Sequence, residues 1–403
     1  MPTSDCTGSA AMATDTLPVL VLGTGVTALG VARILAHDGI PAWHVTERPD
    51  HLRHSRHYRP YRTYRPHRFS EDLAEWLTGF PEEAAVLMPC ADSLVREVAA
   101  LSPALRERFR AVVPDEAVVT TVTDKAGFAR FLAGAGIPHP VTVVTGPDTS
   151  VPDLAGAFLK PTDSQAFFAR HGIKGLRADS PAALRALLAD LAAQGDSMVV
   201  QEYVPGPAGS HVFVDGYAGR DGRIRALFPR RRLRMYPPDF GNSSFMVSVT
   251  DEEARLGGRD DPLLTVRRLI AALGLVGIFS VELKRDDRDG IFKVLEVNAR
   301  PWWYVEFAAR AGVDVCRLAY RDALGLPVDT IDGHVAGRAM TYPPYDYPAW
   351  RHARARGGPS FLRWMSEVVH AEQPVWRMSD PLPGLMEYSA MAARRLNRLL
   401  GGG

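Results

Sequence analysis

Apolar residues in the first 120 positions come in short runs separated by helical stretches. Pro18–Leu22 is an unbroken apolar run, followed at once by Gly23-Thr24-Gly25 and a helical stretch to His37. Pro41–Thr46 then reads as a second strand. Strand, glycine turn, helix and strand form a βαβ unit, which predicts a parallel, doubly wound sheet. Ala84–Met88 and Ala117–Thr121 read as further strands of this first domain, expected over residues 17–120. Residues 1–16 read as a disordered tail. Thr123-Asp124 can cap a helix over Lys125–Gly134, which Gly136 and Pro138 terminate. From Val141 the pattern changes to strands at longer intervals. Ala157–Lys160, Met198–Tyr203, His211–Gly216, Arg223–Phe228, Gly277–Lys284 and Phe292–Val297 alternate with an amphipathic helix over Pro181–Ala193. This pattern predicts an α+β region of mostly antiparallel sheet with helices on one side. Beyond residue 331 the chain is rich in Pro, Tyr, Trp and Arg, and ends in a predicted helix over Leu385–Leu400. It reads as an extension that packs on the main body.

The period of two along a strand gives Val294–Pro301 its meaning, because it sets Glu296, Asn298 and Arg300 on one face. A carboxylate, an amide oxygen and a guanidinium make a poor apolar core. They make a good wall for Mg²⁺ and phosphate oxygens, since hard oxygen ligands suit Mg²⁺ and Arg suits phosphate. The strand before it carries Glu282. A tight turn over Asp286–Gly290 would make a hairpin in which Glu282 and Glu296 face each other and share two metal ions. Lys160 closes a strand and precedes Pro161; with Lys125 it offers compact cations for phosphates. Asp163–Gly175 follows as a loop that could cover them, with Ser164, His171 and Lys174 as candidate contacts. Gln201-Glu202-Tyr203-Val204 ends an apolar strand whose backbone edge can bond a base.

Composition narrows the function classes. The chain has 403 residues, 47 Lys+Arg against 46 Asp+Glu, a net charge of +1 and 46% hydrophobic residues. This is a globular composition, without the basic excess of a general nucleic-acid binder. Three scattered cysteines exclude a disulfide framework and fit a reducing cytoplasm. The longest uncharged apolar stretch, Leu17–Ala32, is too short and glycine-interrupted for a membrane span. Only five cations are lysines: Lys125, Lys160, Lys174, Lys284 and Lys293. The neutral total conceals two basic segments. Residues 48–68 hold seven Arg and one acid, and residues 220–234 also hold seven Arg and one acid.

The order of these motifs resembles the ATP-grasp superfamily, and within it the carboxylate–amine ligases, similar to carbamoyl-phosphate synthase domains and D-aspartate ligases. The resemblance covers residues 18–330. It rests on Glu282 with Glu296-Val297-Asn298-Ala299-Arg300, on Asp124-Lys125 before its helix, on Lys160-Pro161, and on Glu202-Tyr203-Val204-Pro205-Gly206. It implies a Rossmann-like N-terminal domain and an ATP-grasp domain over 121–330, its lobes at 121–206 and 207–330, with ATP held between two β-sheets. It further implies a C-terminal extension over 331–403. Glu282, Glu296 and Asn298 would hold two Mg²⁺, with Mn²⁺ as a substitute. Lys125, Lys160, Lys174, Glu202, Tyr203 and Val204 would bind ATP. Arg300, Arg232 and Arg234 would serve the transferring phosphoryl group and the substrate. The implied reaction joins a small carboxylate to an amine through an acyl-phosphate in the cytoplasm, with no nucleic-acid or membrane partner and a homodimer as the assembly to test. An ATP-grasp kinase and a non-catalytic nucleotide-binding protein are the alternatives. The loop after Lys160 departs from the family in holding only Gly172 and Gly175. Gly23-Thr24-Gly25 departs from the dinucleotide fingerprint in its spacing, and NAD is not expected there. Trp302, Trp303 and Tyr304 follow the metal strand as either an acceptor-pocket wall or core packing.

Overall fold

The computed structural model describes residues 16–46, 50–61, 72–145, 154, 156–161, 167, 170–171, 175–238 and 241–400, the last seven by backbone alone. Its first layer is a parallel sheet of β1 (Val19–Leu22), β2 (Ala42–Val45), β3 (Ala85–Pro89) and β4 (Phe109–Arg110), in the order β2-β1-β3-β4. Every residue of β1 and β3 is buried, as expected where helices cover both faces of a parallel sheet. The glycine turn leads directly into a helix over Gly25–His37, whose apolar residues lie in the main core.

Ala117–Thr121 is not a strand. It lies in a helix over Glu116–Thr123, which starts after the extended Asp115. Val119 and Val122 are the buried residues of that helix, a spacing of three that fits a helical stripe and not strand alternation. The β-branched composition favours a strand, and packing on neighbouring helices overrides it. The next helix spans Lys125–Gly134, and Asp124 caps it by accepting from the Ala126 N–H.

A second sheet holds β5 (Thr142–Val144), β6 (Ala157–Pro161), β7 (Leu176–Ala178) and β8 (Met198–Glu202), all antiparallel, in the order β5-β8-β6-β7. The third sheet has six antiparallel strands: β9 (His211–Ala218), β10 (Ile224–Tyr236), β11 (Asn242–Ser248), β12 (Gly277–Arg285), β13 (Phe292–Asn298) and β14 (Ala339–Thr341). Their order is β13-β12-β9-β10-β11-β14. β10 runs well past Phe228 because the arginines beyond it are paired: buried Arg230 meets Asp215, and buried Arg232 meets Glu282. Residues 331–403 contribute the edge strand β14, then helices over Pro343–Arg354, Phe361–His370 and Leu382–Leu400.

Two contacts tie the layers together. Gly277 starts β12 at φ +93°, and a Cβ there would lie 2.4 Å from the Val112 carbonyl oxygen, so a side chain is excluded on both counts. Arg33, buried in the first helix, donates to the Pro374 and Val375 carbonyls and to Asp380, while Asp380 also accepts from Ser55 and the Arg56 N–H.

Candidate active site

β12 and β13 form the expected hairpin. Its turn over Asp286–Gly290 is pinned by the buried Asp286, which takes Arg288 and Lys293. Those two cations hold the Asp286 carboxyl far below the usual range, against the opposing effect of burial. The register sets Glu282 opposite Glu296 and Ser280 opposite Asn298. An irregularity after the Glu282 pair shifts the register by one residue and leaves Leu295 unpaired, which keeps Glu296 opposite Glu282.

The two carboxylates sit in different surroundings. Burial would raise the Glu282 pKa, but the Arg232 charge and the His211 hydrogen bond more than reverse it. His211 Nδ1 lies 2.8 Å and Arg232 Nη1 3.0 Å from Glu282 Oε1. Glu296 faces the cleft, and its pKa is raised by the surrounding protein and by the Glu282 charge. Two facing carboxylates that disfavour each other's charge are a donor set suited to a divalent cation.

The cleft holds about 290 Å³ and brings Glu296 and Asn298 together with Lys125, Lys160 and Gln201 across from them. Lys160 Nζ donates to Gln201 Oε1 at 3.2 Å. The Lys125 pKa is lowered by burial and by the Lys160 charge, while Glu296 pulls it back up. Arg300 adjoins this cleft. It donates to Asn298 Oδ1 at 3.0 Å and forms a two-pronged pair with Asp92, Nε to Oδ1 at 2.8 Å and Nη2 to Oδ2 at 3.0 Å.

The remaining expected residues are placed as follows. Arg232 joins the cluster through Glu282. Arg234 turns to the C-terminal segment, donating to both oxygens of Asp346 at 2.8 Å and to Glu367 at 2.6 Å. The Glu202 carboxylate takes Arg288 and the Val141 N–H, while its backbone continues β8. The ring of Tyr203 lies under Arg177 and Lys284, and Val204 is buried. Lys174 and Ser164 lie outside the described residues. His171 pairs with Asp196. Trp302 and Tyr304 are buried, and the Tyr304 hydroxyl donates to the Ser243 carbonyl, as core packing requires. Trp303 is half-buried and stacks on Tyr345. In the basic segment, Arg56 is tied to Ser379 and Asp380, and Arg62 lies outside the described residues.

Sequence reading missed Asp92, His211 and Arg96, which donates to Thr123, and it read Gln201 for its backbone edge alone, not for the amide oxygen that accepts from Lys160. Asp92 had a signal: it opens a helix just past the carboxyl end of β3, where ligands gather on doubly wound sheets. His211 heads the strand beside Glu282 and carries no local signature.

Two sheets facing one cleft, with Lys160 on one, Lys125 at the start of the adjoining helix, and a Glu–Glu–Asn–Arg set on the other, make an ATP-grasp-like fold. No protein-family model matches the chain. It is 20% identical over 250 residues to the D-aspartate ligase of Enterococcus faecium (strain Aus0004), which covers 59% of this chain and 58% of that relative's length. Among solved structures it is similar to the L-amino acid ligase from Bacillus licheniformis, with 15% identity, coverage of 80% and 78%, and a TM-score of 0.56. It is also similar to the biotin carboxylase domain of the Hydrogenobacter thermophilus 2-oxoglutarate carboxylase, in complex with MgADP and bicarbonate. That match has 16% identity, coverage of 80% and 73%, and a TM-score of 0.56. No described helix is long and apolar enough to cross a membrane.

Proposed function

We propose that the protein is an ATP-dependent ligase that joins a small carboxylate to an amine. The observation that carries this reading is the register pair Glu282–Glu296, with Asn298 and Arg300 continuing the strand and two lysines across the cleft. The substrate carboxylate oxygen attacks the γ-phosphorus and ADP leaves, which forms an acyl-phosphate. The amine nitrogen then attacks the acyl carbon, phosphate leaves, and the nitrogen gives up a proton to form the amide. Such chemistry depends on positioning and charge neutralisation.

Glu282, Glu296 and Asn298 would hold Mg²⁺, two ions in this reading, and the metal would neutralise charge on the β- and γ-phosphates. Lys125 and Lys160 hold the nucleotide phosphates. The backbone of Glu202, Tyr203 and Val204 offers its edge to the adenine. Arg300 meets the transferring phosphoryl group, and Asp92 and Asn298 fix its fork. Arg232 keeps Glu282 ionised as a ligand. Arg234 organises the C-terminal wall of the same sheet. The substrates are small molecules, and the cytoplasm is the proposed place of work.

The test is a matrix of amino acids taken in pairs, scored by ATP-dependent phosphate release and product mass. A ligase needs both co-substrates and releases free phosphate, whereas a kinase transfers the phosphate to its acceptor. Glu296→Ala and Arg300→Ala each lower ADP release by roughly 10²–10³-fold. ADP release near the wild-type rate in either variant would refute the assignment.

A further inference from the structure

The turn of the metal-bearing hairpin reaches the strand that ends at Glu202. Asp286, fully buried at that turn, takes Arg288 on both oxygens, Nε to Oδ1 at 2.9 Å and Nη2 to Oδ2 at 2.5 Å, and takes Lys293 at 2.8 Å. So held, Arg288 turns its remaining nitrogen outward: Nη1 lies 2.6 Å from Glu202 Oε1, at the end of β8. The other Glu202 oxygen accepts from the Val141 N–H at 3.1 Å. Next to Arg288, the Asp287 N–H donates to the Pro205 carbonyl at 3.2 Å. The two segments also close up just beyond. Gly206 has φ +134°, and a Cβ there would lie 2.9 Å from Ser210 Oγ and 3.3 Å from the Arg285 carbonyl oxygen.

These two grips, on Glu202 and on Pro205, bracket Val204. Its side chain is buried, and among the described residues nothing bonds its backbone N–H or carbonyl. A backbone edge left open between two clamped neighbours is a preset contact for the donor and acceptor of a base, and groups fixed in advance lose little freedom on binding. One strand anchors the clamp to the metal site. Glu282 lies four residues before Asp286 along the chain, roughly 13 Å at about 3.3 Å per residue. β12 is paired on both sides, by β13 and by β9, so that spacing is rigid.

We propose that Arg288 is a positioning residue for the nucleotide, holding the Val204 edge in place for the adenine at a fixed distance from the carboxylates that take the metal. The proposal rests on the reading of the cleft as an ATP site. In this role Arg288 acts through Glu202 and contacts neither the base nor the phosphates. Loss of the clamp should therefore loosen the grip on the base and spare the grip on the phosphates.

The test is calorimetry on the full chain with MgATP and with magnesium tripolyphosphate, which presents phosphates without a base. Arg288→Met should raise the dissociation constant for MgATP about 3- to 10-fold, a size set by the partial exposure of the ion pair, and leave that for tripolyphosphate unchanged. Glu202→Gln keeps an acceptor for the Val141 N–H and loses the ion pair, so it should show the same loss. The double variant should lose no more than either single one. Arg288→Lys should recover part of the affinity, because a point charge can meet Glu202 without the fork on Asp286. Where Arg288→Met does not fold, Glu202→Gln decides. An unchanged MgATP affinity in the variants, with the wild type binding, overturns the proposal and leaves the ATP site standing. Equal losses for MgATP and tripolyphosphate overturn it too, because a purely structural pair would weaken the whole cleft. So does a wild type that takes MgATP but no tripolyphosphate, since the two grips would then not be separable. A wild type that binds neither, or tripolyphosphate alone, removes the ATP site itself and the proposal with it.

Discussion

The two walls of the cleft are built by opposite means. On the six-stranded sheet three candidate side chains are braced by others: Glu282 by His211 and Arg232, Arg300 by Asp92 and Asn298, and Arg234 by Asp346 and Glu367. On the side of the four-stranded sheet Lys160 is met by one neutral amide oxygen, and Lys125, at the start of the helix Lys125–Gly134, is steered by opposing charges. β9 is buried along its whole length, whereas β5 is half-exposed throughout. One wall is prearranged for charge that arrives in a fixed geometry. The other is poised for an anion that brings its own partners.

The contrast predicts that braces fail as stability and lysines fail as binding. Asp346 is fully buried and accepts from Arg234, Ser244 and Trp364. Asp346→Ala removes the two-pronged partner of Arg234 and the buried acceptor of Ser244 and Trp364, leaving Arg234 only Glu367, and should cost about 3–5 kcal/mol in urea unfolding. A loss below about 1 kcal/mol would mean that the braced wall is not held by its pairs. Lys160→Ala should leave the urea midpoint in place yet weaken ATP binding about 10- to 150-fold, the worth of a charged hydrogen bond of about 1.5–3 kcal/mol. A shifted midpoint with unchanged nucleotide affinity would reverse the two roles.

The smallest effect is set by pH. Burial and the neighbouring Arg232 charge lower the His211 pKa from 6.5 to about 4. Between those values the unfolded chain binds a proton that the fold refuses, so stability falls as the pH falls through this window and is unaffected above it. The loss from this one group should reach about 1 kcal/mol near pH 5.5. His44, likewise buried and lowered to about 4, adds a loss of the same sign. His211→Gln should flatten the slope of the thermal midpoint between pH 6.5 and 4 by the His211 share. An unchanged slope would place the bracing of Glu282 elsewhere.

What the sequence disclosed follows the range of the interactions. The hairpin was legible because its turn, its period of two and both glutamates lie within one fifteen-residue stretch, Glu282–Glu296. The helices over Lys125–Gly134 and Pro181–Ala193 have the expected bounds because cap, stripe and breaker are local. Glu116–Thr123 read as a strand because its composition is β-branched and only its burial spacing reveals a helix. β10 seemed to stop at Phe228 because an arginine run looks solvated until its carboxylates are known. β11 and β14 escaped notice because β14 comes from about 90 residues further along the chain. Asp92 and Asp346 meet their arginines across sequence gaps of 208 and 112 residues, which leave no local pattern.

The clasp of Arg33 on Asp380 bears on how the chain is made. Synthesis runs from the amino end, so the first helix leaves the ribosome with a guanidinium destined for burial and no carboxylate to meet it. The clasp cannot close until Asp380, 347 residues further along, has been translated. The nascent first layer must keep that charge hydrated until Glu306, the earlier of its two carboxylate partners, emerges.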